Sequence, residues 1–158
     1  MSSPAPRAAE FGPPYLQARI DAEIALAKHI GVVVERADDR ELVLSAPLQS
    51  NRNHKGTAFG GSLYCVAVLT GWAWATRYLA MRGIAADAVI QQSTVQFLAP
   101  VHGELRAHLA APGTAEVDKF RRMLERAGRG RIQLRVELRN GSRAAAKFEG
   151  MFAAALRP

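Results

Sequence analysis

Residues 56–76 read GTAFGGSLYCVAVLTGWAWAT, and no charged side chain interrupts them. A run of that length invites a membrane-spanning reading. Its opening, residues 56–62, holds Gly56, Gly60 and Gly61 and reads as a loop, which leaves only residues 63–75 as a continuous apolar stretch before Thr76 and Arg77. A buried core helix fits a stretch that short better than a bilayer span. Ser62 is a good N-cap, and over residues 63–81 the positions Leu63, Val66, Leu69, Trp72, Ala73, Leu79 and their neighbours are apolar on every side. Such a helix has to be enclosed, and the rest of the chain must supply the enclosure.

The flanking segments do so. Pro13 and Pro14 open a helix in which Leu16, Ile20, Ile24 and Ala27 recur at helical spacing up to Gly31. Residues 32–36 and 41–48 are short apolar-rich runs bracketing Ala37-Asp38-Asp39-Arg40, the pattern of a hairpin. After Gly83 the period becomes two, and residues 88–98, 104–110, 131–139 and 143–156 read as strands. In the third of these Ile132, Leu134, Val136 and Leu138 alternate with Arg131, Gln133, Arg135, Glu137 and Arg139. Residues 114–127 place Val117, Phe120 and Leu124 on one helical face, with Thr114 as cap and Gly128 as stop. The fold class that follows is α+β: one antiparallel sheet wrapped around one long apolar central helix, with two smaller helices added. It forms a single domain over residues 15–158, preceded by a flexible proline-rich lead, residues 1–14, that has no apolar run of an export signal.

Burial also predicts how the last two strands pair. A two-residue Asn140-Gly141 loop would set Leu138 opposite Arg143 and Leu134 opposite Lys147, which mixes faces. A three-residue loop, residues 140–142, sets Leu134 opposite Phe148 and Val136 opposite Ala146, with Gly141 or Ser142 in a bulge, and is the register expected.

The chain has 158 residues, 49% hydrophobic and 22% charged, which argues against a disordered, collagenous or coiled-coil chain. Cys65, the single cysteine, cannot close an internal disulfide and fits a reducing, cytoplasmic compartment. The 21 basic against 14 acidic residues give +7, which first suggests an anionic partner. The excess is local, because residues 119–147 alone hold ten basic and two acidic side chains. Part of that segment is the outer face of a strand. The remainder has three readings: a solvated face; a phosphate seat in which Lys119, Arg121, Arg122, Arg126, Arg129 and Arg131 are the candidates; or a surface for an acidic carrier protein. Nucleic acid ranks below these, since Phe120 is the one interleaved aromatic and no binding motif accompanies it.

Residues 51–62 read N-R-N-H-K-G-T-A-F-G-G-S and run directly into the enclosed helix. Asn53 and His54 offer hydrogen-bonding and proton-transfer groups, Gly60 and Gly61 admit a ligand close to the backbone, and a helix N-terminus presents unpaired N–H groups. A developing oxyanion needs that combination. Glycines before a helix are also ordinary turn residues, so the loop alone does not decide the matter.

The order of helix, hairpin, N-H-x-G-T-x-F-G-G-S, long apolar helix, Q-F-L-A-P-V-H-G-E-L and closing strands resembles the hotdog-fold acyl-CoA thioesterases. Within them it is most similar to the thioesterase group typified by the YiiD C-terminal domain; E-V-D-K-F, G-R-G-R-I-Q-L and F-E-G-M-F resemble that group too. The resemblance implies a homodimer whose sheets join, alone or as half of a tetramer, with two active sites at the subunit interface and cleavage of an acyl thioester by water. Coenzyme A enters as part of the substrate, and no separate cofactor is implied. By position, Gly61 supplies the oxyanion-hole N–H while Asn53 and His54 line the carbonyl; Gly60, Ser62, Phe59 and Tyr64 border the substrate. Two positions depart from the pattern: Phe59 stands where many relatives have His before the two glycines, and Val68 stands where many place a carboxylate. His54 is the natural substitute as general base. Asp87, Gln91, Gln92, Ser93 and Thr94 are further contributors across the interface.

Other candidates read as structure. Cys65, one turn inside the helix, is a small buried hydrophobe; Trp72, Trp74 and Tyr78 pack the core or a dimer contact; and His29, His102 and His108 are surface or strand residues. No set of His, Cys, Asp and Glu has metal-ligand spacing. The leading expectation is an acyl-thioester hydrolase. Its rivals are an enoyl-thioester hydratase or dehydratase, which needs a paired acid and base, and a non-catalytic acyl-CoA or lipid-binding dimer.

Overall fold

The computed structural model describes residues 8–158. In chain order they form a 3₁₀ turn (Ala8–Phe11), helices α1 (Pro13–Glu23) and α2 (Ala25–Ile30), and strands β1 (Val33–Ala37) and β2 (Glu41–Ala46). Then come helix α3 (Gly60–Met81), strands β3 (Ala86–Phe97) and β4 (Leu105–Ala110), helix α4 (Thr114–Ala127), and strands β5 (Arg129–Asn140) and β6 (Arg143–Leu156). The strands make one antiparallel sheet in the order β1-β2-β4-β5-β6-β3. The uncharged run is its axis: α3 has no exposed residue, and Leu63, Val66, Leu69, Ala73 and Leu79 are buried against the sheet's inner face. No helix of the described residues is long and apolar enough to cross a membrane.

The helix can lie that close because two glycines leave room for rings. Phe148, Gly150 and Phe152 share the inner face of β6, and Gly71 of α3 sits over the ring of Phe152. A side chain at either glycine would enter space those rings fill.

Several sequence expectations are corrected. Helix α3 begins at Gly60 with Phe59 as its cap residue, so Ser62 lies in the first turn and is not the N-cap. The start is set by backbone: the Phe59 N–H donates to the Asn51 carbonyl at 2.7 Å, and the Phe59 carbonyl accepts from Leu63 at 3.1 Å. Gly113, not Thr114, is the cap residue of α4, whereas Gly128 ends that helix in the left-handed region with φ 67°. The first helix is two, broken at Ile24 (φ −120°, ψ 89°), which turns the chain so that Ile20 before the break and Ala27 and Ile30 after it are all buried.

Of the expected lead, residues 1–7 lie outside the described residues, and residues 8–14 are folded. The Phe11 carbonyl accepts from Nε of Arg77 at 3.0 Å, while the Arg77 guanidinium also reaches Asp39 at 3.2 Å. Arg77 is only 7% exposed, so these two partners are what make its burial tolerable.

The β5–β6 register differs from the expected one by two residues. Val136 faces Phe148, Leu134 faces Gly150 and Leu138 faces Ala146. The turn closes on Asn140 and Arg143 around Gly141 (φ 64°) and Ser142, and the ladder then shifts between Leu138 and Arg139, leaving Ala145 as the extra residue. That bulge puts the apolar residues of both strands back on one face. Burial therefore fixed the parity of the pairing, and turn and bulge together fixed its value.

At the β1–β2 turn, Asp38 accepts from Arg36 Nε at 2.6 Å and from the N–H groups of Arg40 and Glu41 at 2.8 and 2.9 Å. The Arg36 bond first, and the two backbone bonds after it, hold the Asp38 carboxyl at about 2. An unfolded Asp titrates near ~3.9, so the carboxylate supports the turn fully above that pH and loses its contribution as pH falls through about 2. A carbon-detected NMR titration should place the Asp38 midpoint close to 2; a midpoint in the ordinary carboxylate range would mean that the turn is open in solution.

Candidate active site

The loop between β2 and α3 is held at both ends. Asn51, 3% exposed, donates from Nδ2 to the carbonyls of Ile30 and Pro47, each at 2.8 Å. Its own carbonyl takes the Phe59 N–H, an isolated bridge pairs Arg52 with Ala58, and the Ala58 N–H donates to Val101 at 2.9 Å. Asn51 was not singled out in the sequence, although an asparagine beside a turn is the residue type that binds local backbone.

Beyond the bridge the chain turns back at residues 53–57. Asn53 Oδ1 accepts from the N–H groups of Lys55 (2.9 Å) and Thr57 (3.2 Å), and Nδ2 donates to Thr57 Oγ1 at 2.9 Å. The Asn53 N–H also donates to the Thr57 carbonyl at 2.7 Å. Both ends of the Asn53 side chain are thus engaged in the turn, which makes it the staple that shapes the tip. His54 sits at that tip, exposed, with no hydrogen bond to another described residue.

At the other end of the loop the backbone N–H groups of Gly60, Gly61 and Ser62 have no acceptor among the described residues. They are the orphan donors of the first turn, at the positive end of a helix of 22 residues. Two rings flank them. The Phe59 ring lies against Gly61, where a Cβ would stand 2.5 Å from Cε1, and the Phe97 ring lies 3.4 Å from the corresponding position of Gly60. Phe59 is 56% and Phe97 54% exposed. One turn along, the Tyr64 hydroxyl and Ser93 Oγ share a hydrogen bond of 2.6 Å that ties α3 to β3. Val68 is partly buried against the core, and burial pushes the Cys65 thiol up, which keeps it protonated and inert. The arrangement can hold an anionic oxygen at the helix start with a histidine on the same loop.

The basic segment separates into two classes. Arg121 pairs with Asp118 and Glu125, Arg135 with Glu149, and Arg139 with Glu137. Lys119, Arg122, Arg126, Arg129 and Arg131 make no ion pair with any described residue. The first four of these line one cavity of about 420 Å³ with Met123 and Ala127. Arg129 and Arg131 also line a neighbouring hollow of about 610 Å³ with Met123, Val89 and Gln91. The structure thus brings five of the unpaired cations together around α4 and the start of β5 and leaves the ion-paired ones as an ordinary solvated face; Arg143 and Lys147, which also make no ion pair with a described residue, stand on β6 outside both hollows. Gly130 makes this possible: a Cβ there would stand 3.0 Å from the Phe120 carbonyl, so α4 can lie directly on β5.

Comparison with known proteins gives a consistent result. Residues 14–156 match the family described as "Putative thioesterase (yiiD_Cterm)". The chain is similar to a protein of unknown function from Chlorobaculum tepidum, with a TM-score of 0.89 and 30% identity over 94% of this chain and 99% of that one. A structure from Shewanella oneidensis described as a "putative thioesterase" matches at TM-score 0.82 and 25% identity, over 94% and 99% of the two chains. A Pseudomonas aeruginosa structure described as "Probable Thioesterase" shares the fold at TM-score 0.74 and 18% identity, over 92% and 97%. The fold they share, a long helix wrapped by an antiparallel sheet, is the hotdog fold.

Proposed function

This chain belongs to the family described as "Putative thioesterase (yiiD_Cterm)", and on that premise we propose that it hydrolyses the thioester of an acyl-CoA as a cytoplasmic homodimer. The observation that carries the reading is the set of unclaimed N–H groups at Gly60, Gly61 and Ser62, approached over two residues without side chains. The thioester carbonyl oxygen rests on the Gly61 N–H. Water attacks the carbonyl carbon, His54 takes its proton, and the negative charge that develops on the oxygen is stabilised by the N–H and the helix end. The C–S bond then breaks, the thiol sulphur leaves with a proton, and a carboxylic acid remains. Asn53 serves this step by holding the turn that presents His54. Phe59 and Phe97 wall the approach to the helix start, Tyr64 anchors it to β3, and Lys119, Arg122, Arg126, Arg129 and Arg131 receive the coenzyme's phosphates.

A panel of acyl-CoAs with a thiol reagent tests this. Release of free thiol from at least one chain length is expected, with His54→Ala lowering kcat by about 10² and leaving the folded protein intact. Absence of turnover on every chain length, with binding retained, would instead favour the non-catalytic dimer. Conversion of enoyl-CoA without thiol release would favour the hydratase reading.

A further inference from the structure

One face of α3 is only half covered, and it starts at the free N–H groups. Gly61, Cys65, Val68 and Trp72 fall on one line along the helix, with Tyr64 beside it. Each of the five is half-buried, whereas Leu63, Val66, Ala67, Leu69, Thr70 and Ala73 around them are buried. None of the five carries a charge. Strand β3 follows this line. Phe97 lies against Gly60, Ser93 shares its hydrogen bond with Tyr64, and Ala86 and Ala88 line a cavity of about 460 Å³ with Trp72, Thr76, Leu79 and Ile84. Between Ser93 and Ala88, Ile90 stands opposite Phe152 on the inner face and is half-buried too. The stripe thus leads from the oxyanion donors into the cavity.

The far end is different in character. Arg157 donates to Asp87 at 2.7 and 3.0 Å, Arg19 pairs with Glu23, and all four line the cavity. A methyl end can fill the apolar part of that space, but a longer tail would have to strip these ion pairs of water, which is costly. Lengths can be read from the helix. Trp72 is eleven residues beyond Gly61, or about 16 Å at the helical rise, and its side chain leans back about one turn, leaving ~11 Å to the ring. An extended alkyl chain advances ~1.25 Å per carbon, given its bond length and angle, so about ten carbons reach the ring and further ones enter the cavity. Val68 lies midway. A carboxylate at that position would put a charge in the middle of the line, and valine keeps it apolar.

We infer that the substrate is a straight acyl chain of about ten carbons or more, that Cys65, Val68 and Trp72 carry it along α3, and that the cavity beyond Trp72 takes its methyl end. The inference rests on the thioester reading above for the place of the carbonyl, and its test keeps the two apart. Saturated acyl-CoAs from butyryl to palmitoyl are assayed for thiol release, and the matching S-alkyl thioethers of coenzyme A, which water does not cleave, are titrated by calorimetry. From butyryl to decanoyl, kcat/KM is expected to rise about two- to fourfold per methylene. Val68→Phe fills the line about 10 Å from Gly61, and the ratio of dodecanoyl to butyryl kcat/KM should then fall at least ~10-fold, the loss of two or more buried methylenes. Val68→Thr keeps the shape and adds one hydroxyl; it should lower the same ratio several-fold, and it serves if the phenylalanine variant does not fold. A flat chain-length profile, or a ratio that neither variant moves, overturns the inference; a stripe covered only by a second copy of the chain would give that result. If no thioester is cleaved, the hydrolase reading fails and the thioethers decide. Affinity that rises with chain length and falls in the Val68 variants keeps the acyl track, and affinity independent of chain length removes it.

Discussion

Gly61→Pro is expected to lower kcat on an acyl-CoA by about 10² to 10³ relative to Gly61→Ala, the range found when one oxyanion-hole donor is deleted. Proline removes the N–H and little else at this position. Gly61 is the second residue of α3, a place where the N–H has no intrahelical partner and proline is tolerated. The chain itself shows the tolerance, because α1 opens on Pro13 and Pro14. Either substitution introduces a Cβ against the Phe59 ring, but that ring is more than half exposed and can swing aside. Alanine bears the same displacement and keeps the donor, so the ratio of the two variants isolates the hydrogen bond. Thermal melts of the two should agree within a few degrees. Equal kcat values would place the oxyanion elsewhere and remove the step on which the proposed chemistry depends.

The elements were legible where a single periodicity carries the information. The uncharged run gave α3, the spacing of Val117, Phe120 and Leu124 gave α4, and the alternation of residues 131–139 gave the burial pattern of β5. What stayed hidden depends on atoms far apart in sequence or on backbone geometry. Alternation constrains the β5–β6 register only to even shifts, so the two-residue turn and the bulge at Ala145, each worth one position, together move it by two without exposing an apolar residue. Ile24 keeps the hydrophobic rhythm of a continuous helix while its dihedrals break it. Asn53 looked like a group for the reactants because its bonds to Lys55 and Thr57 are local turn chemistry that the residue type equally permits. In the basic segment, which cations are neutralised was set by partners such as Glu149, 14 positions from Arg135, and only the fold sorted them.

Gly71→Ala is expected to destabilise the protein by about 2 kcal/mol, although alanine is the better helix former by ~1 kcal/mol. The new methyl would stand 2.5 Å from Cε2 of Phe152 and closer still to Cζ. Phe152 is 1% exposed, and its ring is also the neighbour of Gly150, so it has no free volume into which to retreat. Overpacking of this kind costs roughly 1–3 kcal/mol or more, and here it outweighs the gain in helix propensity. For a chain of this size that is a fall in Tm of about 4–8 °C. The sign should reverse when the obstacle is removed. Phe152→Leu is itself destabilising, since it empties part of a buried ring site, but it deletes the ring atoms that the methyl would strike. In that background Gly71→Ala should stabilise by up to ~1 kcal/mol, giving a coupling of about 3 kcal/mol between two residues that meet only where α3 crosses β6. Additive melts across the four proteins would mean that the helix does not approach the sheet this closely, and the contact that seats α3 in the fold would have to be drawn differently.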